Sequence, residues 1–190
     1  MRRRLERLWA PLVLLFVVMG ATIYQLHRQG REWFCTCGRI HLWNGDVWSA
    51  ENSQQLLDPY SFTHVLHGMI FYALFSWLMP RAAFVWRLCF AVAFEALWEI
   101  AENTEAVIGR YRGVTAAIGY HGDTILNSFG DILGFAIGFA AAQRLGFWRG
   151  ALVFVATEVL LLIWIRDSLI LNVIMLISPS QAIRSWQMAH

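Results

Sequence analysis

Residues 8–26 read LWAPLVLLFVVMGATIYQL, an apolar run close to the roughly 20 residues with which a helix crosses a bilayer core. Runs of the same kind recur at Phe62 to Met79, Phe84 to Ala106, Thr124 to Ala142 and Ala151 to Ile165, with a shorter one at Leu169 to Ile177. They are long and continuous, unlike the short alternating segments of an outer-membrane barrel. The 190 residues are 58% hydrophobic and 15% charged, a balance that would leave large apolar patches in water. The fold class that follows is all-α, a polytopic transmembrane helical bundle of about five spans. A sixth span requires the Leu169 to Ile177 run to return across the membrane. No repeat, linker or low-complexity stretch divides the chain, so 1–190 reads as a single integral membrane domain.

The arginines set the expected orientation. Residues 1–7 carry Arg2, Arg3, Arg4 and Arg7 and read as a cytoplasmic basic start followed by an uncleaved anchor, because the apolar run is long for a signal peptide and Gly20 and Ala21 lack a good A-x-A arrangement. With the N-terminus cytoplasmic, alternate crossings put Arg81 and the Arg144 to Arg149 turn inside as well. Arg28, Arg31, Arg39, Arg110 and Arg112 then fall outside, against that sign. The arginines sit at helix ends and form no basic stripe, so a nucleic-acid partner is not expected. The expected location is the bacterial inner membrane, in contact with lipid.

Residues 27–60 are rich in Trp, Asn, Asp and Gly and read as a packed outer cap, since Trp33, Phe34, Trp43 and Trp48 need burial or an interface. This cap is the surface through which a protein partner would dock. Cys35 and Cys37 seldom bridge at such close spacing, so metal binding, an intermolecular bond and two plain thiols all stand open; Cys89, mid-span, reads as packing. Residues 180–190 form a mildly amphipathic tail suited to an interface.

Ionisable groups inside a span are costly and mark either internal pairing or a site. Ser61, His64, His67 and Gly68 share a face at the start of the second span. Glu95, Glu99 and Glu102 follow i, i+4, i+7 spacing on the third, with Asn103 beside them. Glu99 lies roughly 18 Å along the helix from Arg87, in the outer half of the bilayer. On the fourth span Asp123, Asn127 and Asp131 line one face, and Gly130, Gly134 and Gly138 fall on nearly the same stripe, which permits close helix approach. The fifth span carries Glu158 and ends at Arg166 and Asp167.

Four helices thus bring polar groups to one level, a pocket open to the outer leaflet. Two imidazoles and several carboxylates suit a divalent transition metal such as zinc, with His64, His67, Glu99, Asp123 and Asp131 as candidate ligands. In a metal-dependent hydrolase acting on a lipid or lipid-linked substrate, Glu102 and Glu99 would be the catalytic carboxylates. Asn103, Arg110, Arg112, Tyr120, Asn127, Arg166 and Asp167 are candidate binding residues. Set against the enzyme is a non-catalytic binding or assembly protein with the same pocket, and this reading ranks first because polar networks in membrane bundles are commonly hydrogen-bonding glue. Ion translocation along Glu95, Glu158 and Asp131 ranks last, since the inner half is apolar.

Several stretches carry a resemblance. Ser49-x-Glu51-Asn52-Ser53-Gln54, Asp58-x-Tyr60-Ser61-x-x-His64-x-x-His67-Gly68, Trp98-Glu99-x-x-Glu102-Asn103, Arg110-Tyr111-Arg112 and Gly119-Tyr120-x-Gly122-Asp123 with Asn127, Ser128 and Asp131 resemble an uncharacterised family of proteobacterial multi-pass inner-membrane proteins. Arg166-Asp167-Ser168-Leu169 and Leu171-Asn172 fit it too. The resemblance covers most of the chain and implies an inner-membrane location and no known activity. A fainter one, to VanZ-like membrane proteins, rests on Asp123, Asn127, Gly130 and Gly134.

Overall fold

The computed structural model describes residues 2–117 and 119–189; Met1 of the basic start and His190 of the tail lie outside the described residues. Among the described residues the regular structure is all helical. The elements are α1 (Arg2–Arg28), α2 (Ser61–Leu78), α3 (Phe84–Glu102), α4 (Glu105–Val114), α5 (Ile125–Trp164), α6 (Leu169–Ile177) and α7 (Gln181–Met188). Four of them start on a hydroxyl that satisfies an orphan N–H of the first turn. Thr104 accepts from Val107, Thr124 from Asn127, Ser168 from Leu171 and Ser180 from Ile183. Two helices among the described residues, Trp9–Arg28 and Ile125–Trp164, are long and apolar enough to cross a membrane.

The spans expected at Phe62 and Phe84 are the helices α2 and α3. The third apolar run ends as a helix at Glu102, short of Ala106, because Asn103 turns its side chain back onto the Glu99 carbonyl and out to Asp123. Thr104 then opens α4, a helix that the sequence reading did not separate. The fourth and fifth runs are one element of 40 residues interrupted at Gly146, with φ 70° and ψ 178°. A left-handed φ of that kind is open to glycine at little cost. The Arg144 to Arg149 turn is therefore a single-residue break between two helical arms.

The arms fold back on each other's direction. Residue 124 at the head of the first arm bonds the Ser53 carbonyl, while Trp164 at the foot of the second stacks 6.0 Å from Trp43 of the same irregular segment. The N-terminus of α2, the C-terminus of α3 and both ends of α5 consequently share one end of the molecule, covered by residues 29–60.

α2 packs most closely on the first arm of α5. A Cβ on Gly138 would overlap the Val65 carbonyl, one on Gly130 the Leu56 carbonyl, and one on Gly68 the Phe135 carbonyl; at Gly134 the Ser61 oxygen would lie 3.2 Å away. The glycine stripe is thus the contact face, as its spacing suggested. Below it Phe75, Ala91, Val92, Ala96, Ile132, Phe135 and Phe139 form the apolar core. The outward surface is apolar as well: Phe16 and Trp148 are each 82% exposed, Ile163 and Trp77 nearly as much.

The covering segment is held by its own bonds. The fully buried Gln55 accepts from the His41 N–H at 2.7 Å and donates to Glu51 at 2.9 Å. Cys35 and Cys37 are bonded to each other, which corrects the expectation that such close cysteines leave one another alone. The turn at Gly38 (φ 75°) and the Cys37 N–H pointing at Cys35 Sγ bring the two together.

Candidate functional site

The helix period puts Glu95 and Glu99 one turn apart on α3, where both are buried against α2. His64, one turn into α2, meets them. Its Nδ1 is 2.5 Å from Glu95 Oε1 and 3.4 Å from Glu99 Oε1, and its Nε2 faces Asp131 Oδ2 at 3.9 Å. His67 Nδ1 lies 3.5 Å from the same Glu95 oxygen, its ring edge-on to Trp98. Asp131 Oδ1 accepts from the Ser61 hydroxyl at 2.7 Å. Neither oxygen of Glu99 accepts a hydrogen bond, although the residue is fully buried. Glu102, half-buried at the end of α3, lines the same cavity as Tyr111.

His64, His67, Glu102 and Asp131 line a cavity with about 70 Å³ of free space, which Tyr111 and Asp167 also wall, while Glu95 and Glu99 lie behind the two imidazoles. A water needs roughly 10–15 Å³ on this measure, so the space suits a few waters or one small solvated group. A second cavity of about 600 Å³, lined by Arg31, Trp48, Gln54 and His121, shares Asn52, Ala117, Tyr120 and Asp123 with the first. Tyr120 and Asp123 form the partition between them.

Of the five expected metal ligands the structure brings His64, His67, Glu99 and Asp131 together and keeps Asp123 apart. Asp123 Oδ2 accepts from Asn103 Nδ2 at 2.8 Å and Oδ1 from the Tyr120 hydroxyl at 3.0 Å, while its N–H donates to Asn103 Oδ1. Asn103 and Asp123 thereby lock α3 to the head of α5. Asn127 ties α5 to the covering segment through the Gln55 carbonyl.

The arginines reach helix ends. Arg110 donates twice to the Leu176 carbonyl at the foot of α6, and Arg166 to the Trp186 carbonyl in the last turn of α7 and the Ala189 carbonyl just past it. The carbonyls at helix C-termini carry the negative end of the helix dipole, which suits a guanidinium. Arg112 is half-buried on α4. Glu158 is likewise a cap, accepting the Leu169 and Ile170 N–H groups at the start of α6.

Asp167 sits under Tyr60 and Asn172, accepting from both and from the Ser168 N–H. Burial pushes its carboxyl up to about 7, with the Glu158 charge adding and those donors pulling down. Asp58 is pushed up to about 6, by burial first and by Asp123 second, against the Tyr60 and Ser53 N–H bonds. Burial and neighbouring carboxylates hold the Tyr60, Tyr111 and Tyr120 phenols well above their usual range, so all three stay neutral donors.

The sequence reading left Glu95, Tyr60 and Tyr111 out of its site residues. For Glu95 the signal was present, since it shares the face of Glu99. Tyr60 and Tyr111 are placed by loop and α4 geometry that no local period announces.

A family model described as a protein of unknown function (DUF2585) matches residues 26–189. A UPF0314 protein of Paracoccus denitrificans (strain Pd 1222) is 44% identical over 180 residues, 95% of this chain and 93% of its own length. One from Sphingopyxis alaskensis is 45% identical over 94% of both chains, and one from Rhizobium meliloti (strain 1021) 42% identical over 98% of this chain and 93% of that one. The VanZ-like likeness draws no support from these comparisons, and no solved structure matches the chain. With near full-length relatives at this identity, the chain belongs to the uncharacterised DUF2585/UPF0314 family.

Proposed function

We propose that this chain is a multi-pass protein of the bacterial inner membrane, N-terminus inside, whose polar pocket at the outer-leaflet ends of its helices is a non-catalytic binding or assembly site for a small polar group. One observation carries the reading: buried polar side chains from α2, α3 and α5 converge on one cavity at one end of an otherwise apolar bundle. Polar residues at membrane depth are expected to face such an interior. The apolar outer faces of α1, α2, α3 and α5 support immersion in lipid. Five spans are α1, α2, α3 and the two arms of α5. Each arm of that 40-residue helix, which measures about 60 Å if straight, comes near the ~30 Å of a hydrocarbon core.

The nine residues of α6 are too short to return across, and the Arg110 and Arg184 bonds from α4 and α7 favour keeping this region at the capped end. Residues 27–60 are then the outer cap and the surface for a protein partner, and the tail lies along the interface. The hydrolytic alternative finds no support in the relatives, whose names state no activity.

A cysteine reporter tests the pocket. Ala117→Cys, on the wall that the pocket shares with the larger cavity of about 600 Å³, in a chain with the three native cysteines changed to Ser, is expected to react with a membrane-impermeant maleimide added outside intact spheroplasts. Phe135→Cys in the same background, from the fully buried core, is expected to stay unlabelled. Labelling only after the membrane is opened, or none at all, would sink the outer-facing pocket.

A further inference from the structure

We infer that one divalent transition-metal ion binds at the inner end of the pocket, where His64 and His67 of its wall meet Glu95 and Glu99 behind them; the inference rests on the binding reading above. The donor atoms of His64, His67 and Glu95 all lie within 4.8 Å of one another, and so do those of His64, Glu99 and Glu102. Ligands about 2.1 Å from a common ion are spaced in this way. The two groups meet at His64 Nδ1, which faces oxygens of both Glu95 and Glu99. One imidazole N–H serves one acceptor, and the bond at 2.5 Å goes to Glu95.

That leaves Glu99, fully buried, with no hydrogen bond to either oxygen and its Oε1 3.4 Å from His64 Nδ1. A carboxylate orphaned at such depth is expensive unless a cation or a proton meets it. Among the described residues every ion pair of Glu95, Glu99 and Asp131 is with a histidine, and no arginine reaches them. Negative groups outnumber imidazoles, so a dication suits the charge balance.

Two further features fit. Asp131, braced by the Ser61 hydroxyl, lies on the far side of the His64 ring, where metal-bound histidines usually find the carboxylate that orients them. The cavity on the open side leaves room for water ligands, with Glu102 at its edge. Imidazole nitrogen with carboxylate oxygen selects zinc, manganese, iron(II) or cobalt over cuprous copper.

The test uses the full chain, purified in detergent, stripped with chelator and supplied with zinc alone. Elemental analysis after gel filtration is expected to return about one ion per chain, with a higher unfolding temperature than the stripped sample. Glu99→Gln and His67→Gln are each expected to lose the ion and the shift, and Asp131→Asn to weaken binding about 10- to 100-fold. His67 is at the pocket rim, so its variant decides if Glu99→Gln does not fold by circular dichroism. Cys35→Ser/Cys37→Ser is expected to keep the ion, and cobalt in the zinc site to show nitrogen and oxygen ligation without thiolate charge transfer. Zinc not retained by the wild type, retained unchanged by a folded site variant, or lost with the cysteines would overturn the site. The maleimide label reports on the pocket independently, so a chain that labels but binds no zinc loses the metal alone.

Discussion

At the scale of single residues, two acids at the foot of α5 do different work. Glu158 gives both oxygens to backbone N–H groups of α6. Glu158→Ala should leave those donors unpaired and lower stability by about 1–3 kcal/mol, read from unfolding in detergent; a change near zero would mean that water replaces the cap. Asp167 is pushed up to about 7 from the usual 3.8. The folded chain holds that proton more tightly than the unfolded chain does, so the stability it contributes is full below 3.8 and is lost as pH rises through about 7. Asp167→Asn is expected to flatten the fall in unfolding temperature across that window. An unchanged slope would assign the pH dependence to other groups. Neither role was legible beforehand: Glu158 looked like part of an ion path because its partner lies on an element after the next turn.

Between elements the decisive contact is α2 against the first arm of α5. Gly138→Ala adds a methyl that meets the Val65 backbone carbonyl, which cannot rotate away as a side chain would. The gain in helix propensity, about 1 kcal/mol, is outweighed, and a net loss of about 1–3 kcal/mol is expected. Gly20→Ala on α1 meets nothing within 4 Å and should be neutral or stabilising. Unfolding of the two variants side by side checks this, and an equal response would mean that the α2 and α5 backbones are not in contact. The stripe itself could be read from the sequence, as could the starts of α2 and α3. The division of the third run at Asn103 could not, because it depends on an Asp123 that arrives from another loop.

For the whole molecule the question is which ends face which side. With five spans and the N-terminus inside, alkaline phosphatase fused after Ala50 or after Met188 should be active, and fused after Arg81 or after Arg149 inactive. An inactive fusion after Met188 beside an active one after Ala50 would make the last run a sixth crossing. The hairpin at Gly146 is central to that count, since it returns Trp164 to the capped end. Sequence suggested two spans there; in the structure they are two helical arms joined without a loop, where one glycine at φ 70° interrupts the helix.

What the sequence by itself determined is what depends on local period and composition. Apolar runs of span length, the shared faces of His64 with His67 and of Glu95 with Glu99, and the glycine stripe at Gly130, Gly134 and Gly138 all follow from residues a few places apart. Only the tertiary structure decided which of those faces meet. Glu95 lies 31 residues from His64, and nothing in either stretch says that they touch, or that Asp123 is already satisfied by Asn103 while Glu99 is left bare. Pairing at that separation is set by the packing of α2 between α3 and α5, which the glycine backbones allow and the hydrophobic core enforces.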